Sequence, residues 1–493
     1  MSDALWCSRH SPTIGERQSI AVPVFLHQLP MESTAKKTVS APGKLLFAGG
    51  YLVLESPNIG VIIAVNKRFY CTTELFAGEA ELLQVNVESP QFGQSWKYVF
   101  NKQLRHLQRD VTQSQNIFVE RTLRVSLLAL LDEERLKTVS RIQLTLKGDN
   151  DFYSLLPHLN ERREPKTLSA AMSLPPFLPA AKVDGKVLKS GLGSSACLVT
   201  SITASLWCSL KDAVDIKTDV NTIFRLAQIA HCHAQGKVGS GFDVAAACYG
   251  THIYERFPKS LLADLLALLE DETTPTEKVK TTIQSILRAE WKGGIRASLT
   301  LPSFVQVMLA DVSGGSESPS MARKVLAWKK TYESGSIPHW DDLIQINEKI
   351  ANILRTLSST SVAQLRLESF IGSNQDEWAQ DDIGRLLLDL RTTAQESRKH
   401  LKAMGEAAGV PIEPDEQTEL VDATIEVPGV IAALVPGAGG YDAVACVYIN
   451  HPKVQQAVAD LWCSWTKASV CPLTVQAALE GEGLRIEPPI ESS

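Results

Sequence analysis

Short apolar runs and longer apolar stripes alternate irregularly along this chain. Leu45-Leu46-Phe47, Tyr51-Leu52-Val53-Leu54 and Val61-Ile62-Ile63-Ala64-Val65 are separated by Gly and Pro, a pattern that predicts strands. Val139, Ile142, Leu144 and Leu146 predict a further strand over 138–146. Pro165, Pro175, Pro176 and Pro179 predict a loop over 160–182. An apolar helix is expected over 195–210, a second over 220–235, and a strand over 250–254. Residues 258–292 read as helical with mixed charge, and 305–312 as a strand. Leu343, Ile344, Ile346, Ile350 and Leu354 form one stripe, which predicts an amphipathic helix over 341–357. A helix over 383–404 stops at Gly405 and Gly409. Strands over 430–435 and 443–449 flank a second glycine cluster. There is no regular strand–helix–strand alternation, so the fold class is α+β rather than a doubly wound parallel sheet.

The chain has 493 residues, enough for two or three domains of roughly 150 residues each. Its 44% hydrophobic and 21% charged residues are the composition of a chain that buries cores. A net charge of −6 and the lack of a Lys/Arg run exclude nucleic acid as an expected partner. No segment reaches the roughly 18 apolar residues of a membrane span. Residues 1–30 lack the apolar run of a signal peptide and show no periodicity. Residues 1–35 are therefore read as a flexible extension. Nine cysteines without a CxxC pair fit a reducing compartment rather than a disulfide framework or a zinc ribbon. Ile490-Glu491-Ser492-Ser493 is not a peroxisomal tripeptide, so the expected location is cytoplasmic.

The run Lys189-Ser190-Gly191-Leu192-Gly193-Ser194-Ser195-Ala196-Cys197 stands where a helix begins. Two glycines let the backbone turn and approach a ligand closely. Serine hydroxyls there cap free N–H groups or meet a metal ion. The helix start offers N–H donors and a positive dipole end, which suit a phosphate. A capped turn is the simpler reading. Gly191, Gly193 and Ala196 also fit G-x-G-x-x-A, the dinucleotide pattern, but Asp212 and Asp215 fall between two helices rather than at a strand end. The P-loop pattern is absent.

Three other segments carry candidate chemistry. Lys44 follows Pro42-Gly43 at a strand start, as a surface lysine or as a point charge beside phosphate. Asp243, after Gly239-Ser240-Gly241-Phe242, is a helix cap or a catalytic carboxylate. Pro436-Gly437-Ala438-Gly439-Gly440 is a hairpin turn or a close wall against a ligand. His231-Cys232-His233 turn about 100° per residue around a helix, so they do not converge on one metal ion.

In order, residues 40–55, 189–199 and 435–444 resemble the three motifs of the GHMP kinase superfamily. Four further stretches are similar to phosphomevalonate kinases of the fungal and plant type. They are Gly148-Asp149-Asn150-Asp151-Phe152-Tyr153-Ser154, residues 234–250, Gly315-Ser316-Glu317-Ser318-Pro319-Ser320-Met321, and Val410-Pro411-Ile412-Glu413-Pro414. The resemblance covers residues 36–475. It implies a two-domain fold with the active site between the domains. Residues 36–257 would form an amino-terminal domain like domain 2 of a ribosomal small-subunit protein, and 258–300 a helical connector. Residues 301–480 would be a ferredoxin-like carboxy-terminal domain and 481–493 a tail.

The resemblance also implies ATP and Mg²⁺, and phosphorylation of (R)-5-phosphomevalonate to (R)-5-diphosphomevalonate on the route to isoprenoids and sterols such as ergosterol. The alternative is another kinase of the superfamily, such as a mevalonate kinase, or a non-catalytic ligand sensor. No membrane and no obligate protein partner are implied. By resemblance Lys44 and Asp243 are catalytic, Asp243 at the acidic position of mevalonate kinases. Lys189, Ser190, Gly191, Leu192, Gly193, Ser194, Ser195, Ala196 and Cys197 would hold ATP, with Ser195 nearest the metal. Lys44, Lys237, Ser240, Gly439 and Gly440 would meet the substrate. Mevalonate kinases carry a glutamate ligand about eleven residues before the catalytic aspartate, and here His231-Cys232-His233-Ala234-Gln235 offers no carboxylate. The metal is then left to ATP oxygens, Ser195 and water, or to Asp243. Two polyanions meeting in an acidic chain require a local basic cluster. Lys44, Lys189 and Lys237 are its first candidates, and Arg141, Lys147, Arg391 and Arg398 its lesser ones.

Overall fold

The computed structural model describes residues 33–183, 186–312, 318–332, 335–362, 364–372, 375–479 and 481–488. Nearly all of the extension expected at 1–35, and Gly315-Ser316-Glu317, lie outside the described residues.

The strand Ile59–Ala77 is the spine of a nine-stranded sheet. Its first residues, Ile59 to Val65, are all buried, as expected of an unbroken apolar run covered on both faces. Beyond Asn66 it mostly alternates, with one face to the core and one outward. Lys37–Ala48 pairs along one edge, while His252–Glu255 and Val139–Gly148 share the other. Leu82–Ser89 joins Val139–Gly148 in parallel, and Gln94–Asn101 and His106–Arg109 follow in antiparallel. The helices Ile117–Leu130, Ser194–Leu210 and Ile216–Gln235 pack together against this sheet, and Phe242–Tyr249 sits beside them.

Four expectations change here. Tyr51-Leu52-Val53-Leu54 is not a strand: Tyr51 has φ 63° and Leu52–Leu54 is a single 3₁₀ turn. A run of four apolar residues is buried equally well either way. Residues 160–182 are not all loop, because Leu168–Ser173 is a helix whose Thr167 cap accepts from the Ala170 amide at 3.2 Å. Residues 258–300 are not a connector. The helices Ser260–Glu270 and Thr276–Arg288 bury Leu262, Leu265, Leu269, Val279 and Ile283 in the first core, and Gly294–Ser298 extends the first sheet. Residues 481–488 are not a tail, since Arg485–Glu487 pairs with Lys37–Ala48. Arg68 secures it, with its guanidinium donating to the carbonyls of Ser40 and Gly483.

The second sheet is antiparallel, in the order Val430–Leu434, Ala443–Ile449, Val305–Val312, Val470–Pro472. Alternate residues of Val305–Val312 face opposite sides. Val307 and Leu309 meet the helices Trp340–Ser358 and Asp382–Ala408, while Met308 and Ala310 meet Asp415–Ile425 and Pro452–Cys463. One apolar core runs from Val39 and Ile62 of the first sheet to Val307 and Val447 of the second.

Polar ties complete the junction of the two lobes. Asp151, 3% exposed, accepts from the Thr474 amide and hydroxyl and pairs with Lys67 at 3.3 Å. Asn66 exchanges hydrogen bonds with Gln476, and the Asn347 side chain accepts from the Gly49 amide. Replacing Asp151 with Ala leaves the Thr474 amide without its acceptor and Lys67 without its counter-charge, holding only its bond to the Thr474 hydroxyl. The expected loss is roughly 1–3 kcal/mol, read as an earlier urea midpoint, whereas Asp151→Asn, which retains an acceptor, is expected to lose much less.

Candidate active site

Between the lobes lies a cavity of about 1090 Å³. Its first wall is the glycine loop. Gly191 (φ 80°) and Gly193 (φ 83°) take left-handed conformations that side chains disfavour. Gly193 caps the helix Ser194–Leu210 without any side-chain hydrogen bond to the first turn, so the amides of that turn remain donors for an anion. Ser190 holds the loop from behind, its hydroxyl donating to the Asp151 carbonyl.

Lys44 is fixed at both ends. Its amide donates to the Leu192 carbonyl at 3.0 Å and its Nζ to the Gly191 carbonyl at 2.6 Å. Burial lowers the ammonium pKa, and the Asp243 carboxylate pulls it back up. A side chain on Gly193 would enter the gap between the two, since its Cβ would lie 3.5 Å from the Lys44 methylenes and 3.8 Å from the Asp243 Cβ.

Asp243 is not the helix cap. Gly241 (φ 90°) caps Phe242–Tyr249, and Asp243 stands in the first turn, its Oδ1 accepting from the Val244 amide at 2.9 Å. A Cβ on Gly241 would come within 2.6 Å of the Tyr254 hydroxyl, so glycine is required there. The Ser195 hydroxyl lies 3.3 Å from His231 Nε2. Burial lowers the His231 pKa, against an opposing pull from Asp243, so a neutral ring backs the serine from the helix behind it. His233 points elsewhere, to Arg121 and Glu270.

The opposite wall belongs to the second lobe: Leu309, Asp311, Val312 and the turn at 435–439. Gly439 presses so closely on the chain at Ile412 that a Cβ would stand 2.0 Å from that carbonyl. The Gly440 amide donates to the same carbonyl at 3.0 Å. Tyr51 reaches across the cavity, its hydroxyl donating to the Ala438 carbonyl at 2.5 Å.

Of the residues read from the sequence, Lys44, Lys189, Ser190, Gly191, Gly193, Ser194, Ser195, Asp243 and Gly439 line the cavity together. Leu192, Ala196 and Cys197 are buried behind the loop at 1% exposure or less. Lys237, Ser240 and Gly440 do not line it either. Tyr254 and Arg256 clamp the backbone at 238–240, which turns that segment away.

The expected basic cluster does not form. Among the described residues only Lys44 and Lys189 bring cations to the cavity wall, against Asp243, Asp311 and Asp442. Arg141 stacks on Phe76 and Lys147 lies over Phe177. Arg391 serves the carbonyls of Ile425 and Val430, and Arg398 pairs with Glu413 and Asp422.

Asp311, Ser154, Tyr51 and His231 were not singled out as site residues by the sequence. Asp311 carried one signal, an acid closing an apolar strand. Ser154 donates to it across the lobes.

The family model "GHMP kinases N terminal domain" matches residues 172–251, which hold the glycine loop, its helix and Asp243. A protein of Arabidopsis thaliana named "Phosphomevalonate kinase, peroxisomal" is 32% identical over 486 residues, covering 89% of this chain and 94% of its own. The chain belongs to the phosphomevalonate kinase family. A family member from Candida albicans is 32% identical, covering 84% of this chain and 90% of that one. A solved structure, the Streptococcus pneumoniae phosphomevalonate kinase in complex with phosphomevalonate and AMPPNP, has a TM-score of 0.52 at 15% identity. It covers 91% of this chain and 99% of its own. At that identity the likeness is one of fold.

Asp311 gives this site a pH signature. Burial raises its pKa from 3.8 to about 6, and Asp442 adds to the rise. A folded-state pKa above the unfolded value contributes stability below about pH 4 that is lost as the pH rises through 6. Asp311→Asn is therefore expected to stabilise the protein at pH 7.5 by on the order of 2 kcal/mol. The gain should shrink toward pH 4.5 in paired thermal or urea melts.

Proposed function

We propose that this protein transfers the γ-phosphoryl group of ATP to (R)-5-phosphomevalonate, giving ADP and (R)-5-diphosphomevalonate. The observation that carries the reading is one cavity in which a glycine-capped helix start without side-chain capping bonds, Lys44 and Asp243 converge, in a chain of this family. Phosphoryl transfer depends on alignment and charge stabilisation. The acceptor is a phosphate monoester with a second pKa of about 6, so at neutral pH it is already a competent nucleophile. Asp243 then acts on Lys44 and on the metal side of the site more than as a base. Lys44, held by two loop carbonyls, places its charge at the transferring group.

Mg²⁺ fits the donor chemistry present. The Ser195 hydroxyl and the Asp243 carboxylate are hard oxygens on the cavity wall, and the ion bound with the nucleotide supplies positive charge at its phosphates. That contribution matters here because the wall carries more carboxylates than ammonium groups. Neutral His231 orients the Ser195 hydroxyl without adding charge. We place the reaction on the route to isoprenoids and sterols, in the cytoplasm. The eight free cysteines among the described residues are consistent with a reducing compartment.

Purified protein with ATP, Mg²⁺ and phosphomevalonate is expected to release ADP in a coupled assay. Turnover of mevalonate or homoserine alone would leave the family standing and overturn the acceptor. Lys44→Met is expected to lower kcat by roughly 10²–10³-fold. Asp243→Asn is expected to cost at least tenfold, and a smaller loss removes it from catalysis.

A further inference from the structure

Away from the cavity, three metal-ligating side chains converge where the start of one helix lies beside the end of another. His339 and Asp342 stand one turn apart at the start of Trp340–Ser358, and His400 comes from Asp382–Ala408. Their ligand atoms all lie within 4.8 Å of one another. His339 Nδ1 is 3.2 Å from His400 Nδ1, and His400 Nδ1 is 3.4 Å from Asp342 Oδ2. Ligands at about 2.0–2.2 Å around a tetrahedral ion stand roughly 3.3–3.6 Å apart, so these two separations are near the edges of such a tetrahedron.

Hydrogen bonding alone serves this arrangement poorly. His400 Nδ1 sits between His339 Nδ1 and the Asp342 carboxylate, and a neutral ring offers that nitrogen one proton at most, so it cannot donate to both. In the tautomers that leave both Nδ1 atoms unprotonated, two nitrogen lone pairs and a carboxylate oxygen share this small space, which a cation would satisfy. The backbone points the same way. His339 has φ 64° and ψ −30°, a conformation that costs a non-glycine residue about 1–3 kcal/mol. Its side chain makes no capping hydrogen bond to the helix it begins. The turn before it is held instead by Asp341, whose carboxylate accepts from the Ser336 hydroxyl and the Ile337 amide at 2.9 Å. The trio is accessible, with the Asp342 side chain 60% exposed and that of His400 23%.

We propose that His339, Asp342 and His400 form a binding site for a divalent transition-metal ion of the zinc class, separate from the phosphoryl-transfer cavity. Two imidazole nitrogens with one carboxylate favour Zn²⁺, Co²⁺ or Ni²⁺ over Mg²⁺ and Ca²⁺, which take oxygen. Three protein ligands leave a fourth position for water. The ion clips Trp340–Ser358 to Asp382–Ala408 beside a cluster in which Trp340, Leu343 and Met404 pack on Tyr51, Leu52 and Ile412. Ile412 is the residue on which the turn at Gly439 rests, so the clip braces one wall of the cavity from behind.

The test uses full-length protein stripped with a chelator and free of nucleotide. Zn²⁺ titration by calorimetry is expected to show one equivalent, and Co²⁺ a visible absorption band in the tetrahedral range. His339→Gln and His400→Ala are each expected to weaken Zn²⁺ binding at least tenfold, and Asp342→Asn less. Millimolar Mg²⁺ is not expected to compete. The Zn²⁺-dependent rise in melting temperature should vanish in His339→Gln while its metal-free melt stays cooperative. Asp342→Asn, at an exposed position, serves if His400→Ala fails to fold. Absence of a Zn²⁺ equivalent, equal binding in wild type and both histidine variants, or displacement by millimolar Mg²⁺ would each overturn the site.

Discussion

The cavity is organised by where the chain leaves its glycine loop and enters the helix Ser194–Leu210. An α-helix start has amides that no helical carbonyl can accept. Here the cap residue makes no side-chain bond to them, and Gly191 and Gly193 both take left-handed conformations at the approach. Lys44 is tied to that loop twice, by its amide and by its ammonium. The loop therefore cannot move without carrying the cation with it. Asp243, on the far side of Gly193, balances that cation and faces the same opening. The two helices and the strand that deliver these groups belong to the first lobe, and their relative positions follow from one packed core.

The second lobe matters through its fixed approach to the first. Residues 149–154 act as a brace. Asp149 accepts from the Arg68 amide, Asp151 holds Thr474, and Ser154 donates to Asp311. Burial drives the Asp149 pKa up to about 6, as it does for Asp311. The junction thus keeps carboxylates in places that disfavour their charge, beside the cavity proposed to take phosphates. On the proposed reading, such a site would draw on helix amides and a bound cation more than on a ring of lysines, since only Lys44 and Lys189 among the described residues bring ammonium groups to its wall.

Much of this was legible beforehand, for local reasons. Glycine at positive φ, a lysine after Pro-Gly and serines at a helix start are properties of a few adjacent residues, so Lys44, Ser195 and the turn at Gly439 could be named from the chain alone. Helical stripes such as Leu343 to Leu354 are equally local. What the sequence did not reveal depends on distant partners. Ser154 and Asp311 are 157 positions apart, and Tyr51 meets Ala438 from 387 positions away. Arg391 and Arg398 have the charge expected of phosphate binders, yet carbonyls and carboxylates of their own lobe already claim them. Arg485–Glu487 is too short to carry a strand signal and exists because Lys37–Ala48 presents it with an open edge.

That last pairing bears on the order of events at the ribosome. The strand Lys37–Ala48 is made early, but the partner for its outer edge is synthesised only after the whole second lobe. Until then the edge is unpaired and open to mispairing with other chains. Nascent first lobes therefore wait incomplete. The first sheet is thus completed last, by the final described strand of the chain pairing with Thr38, Val39 and Ser40.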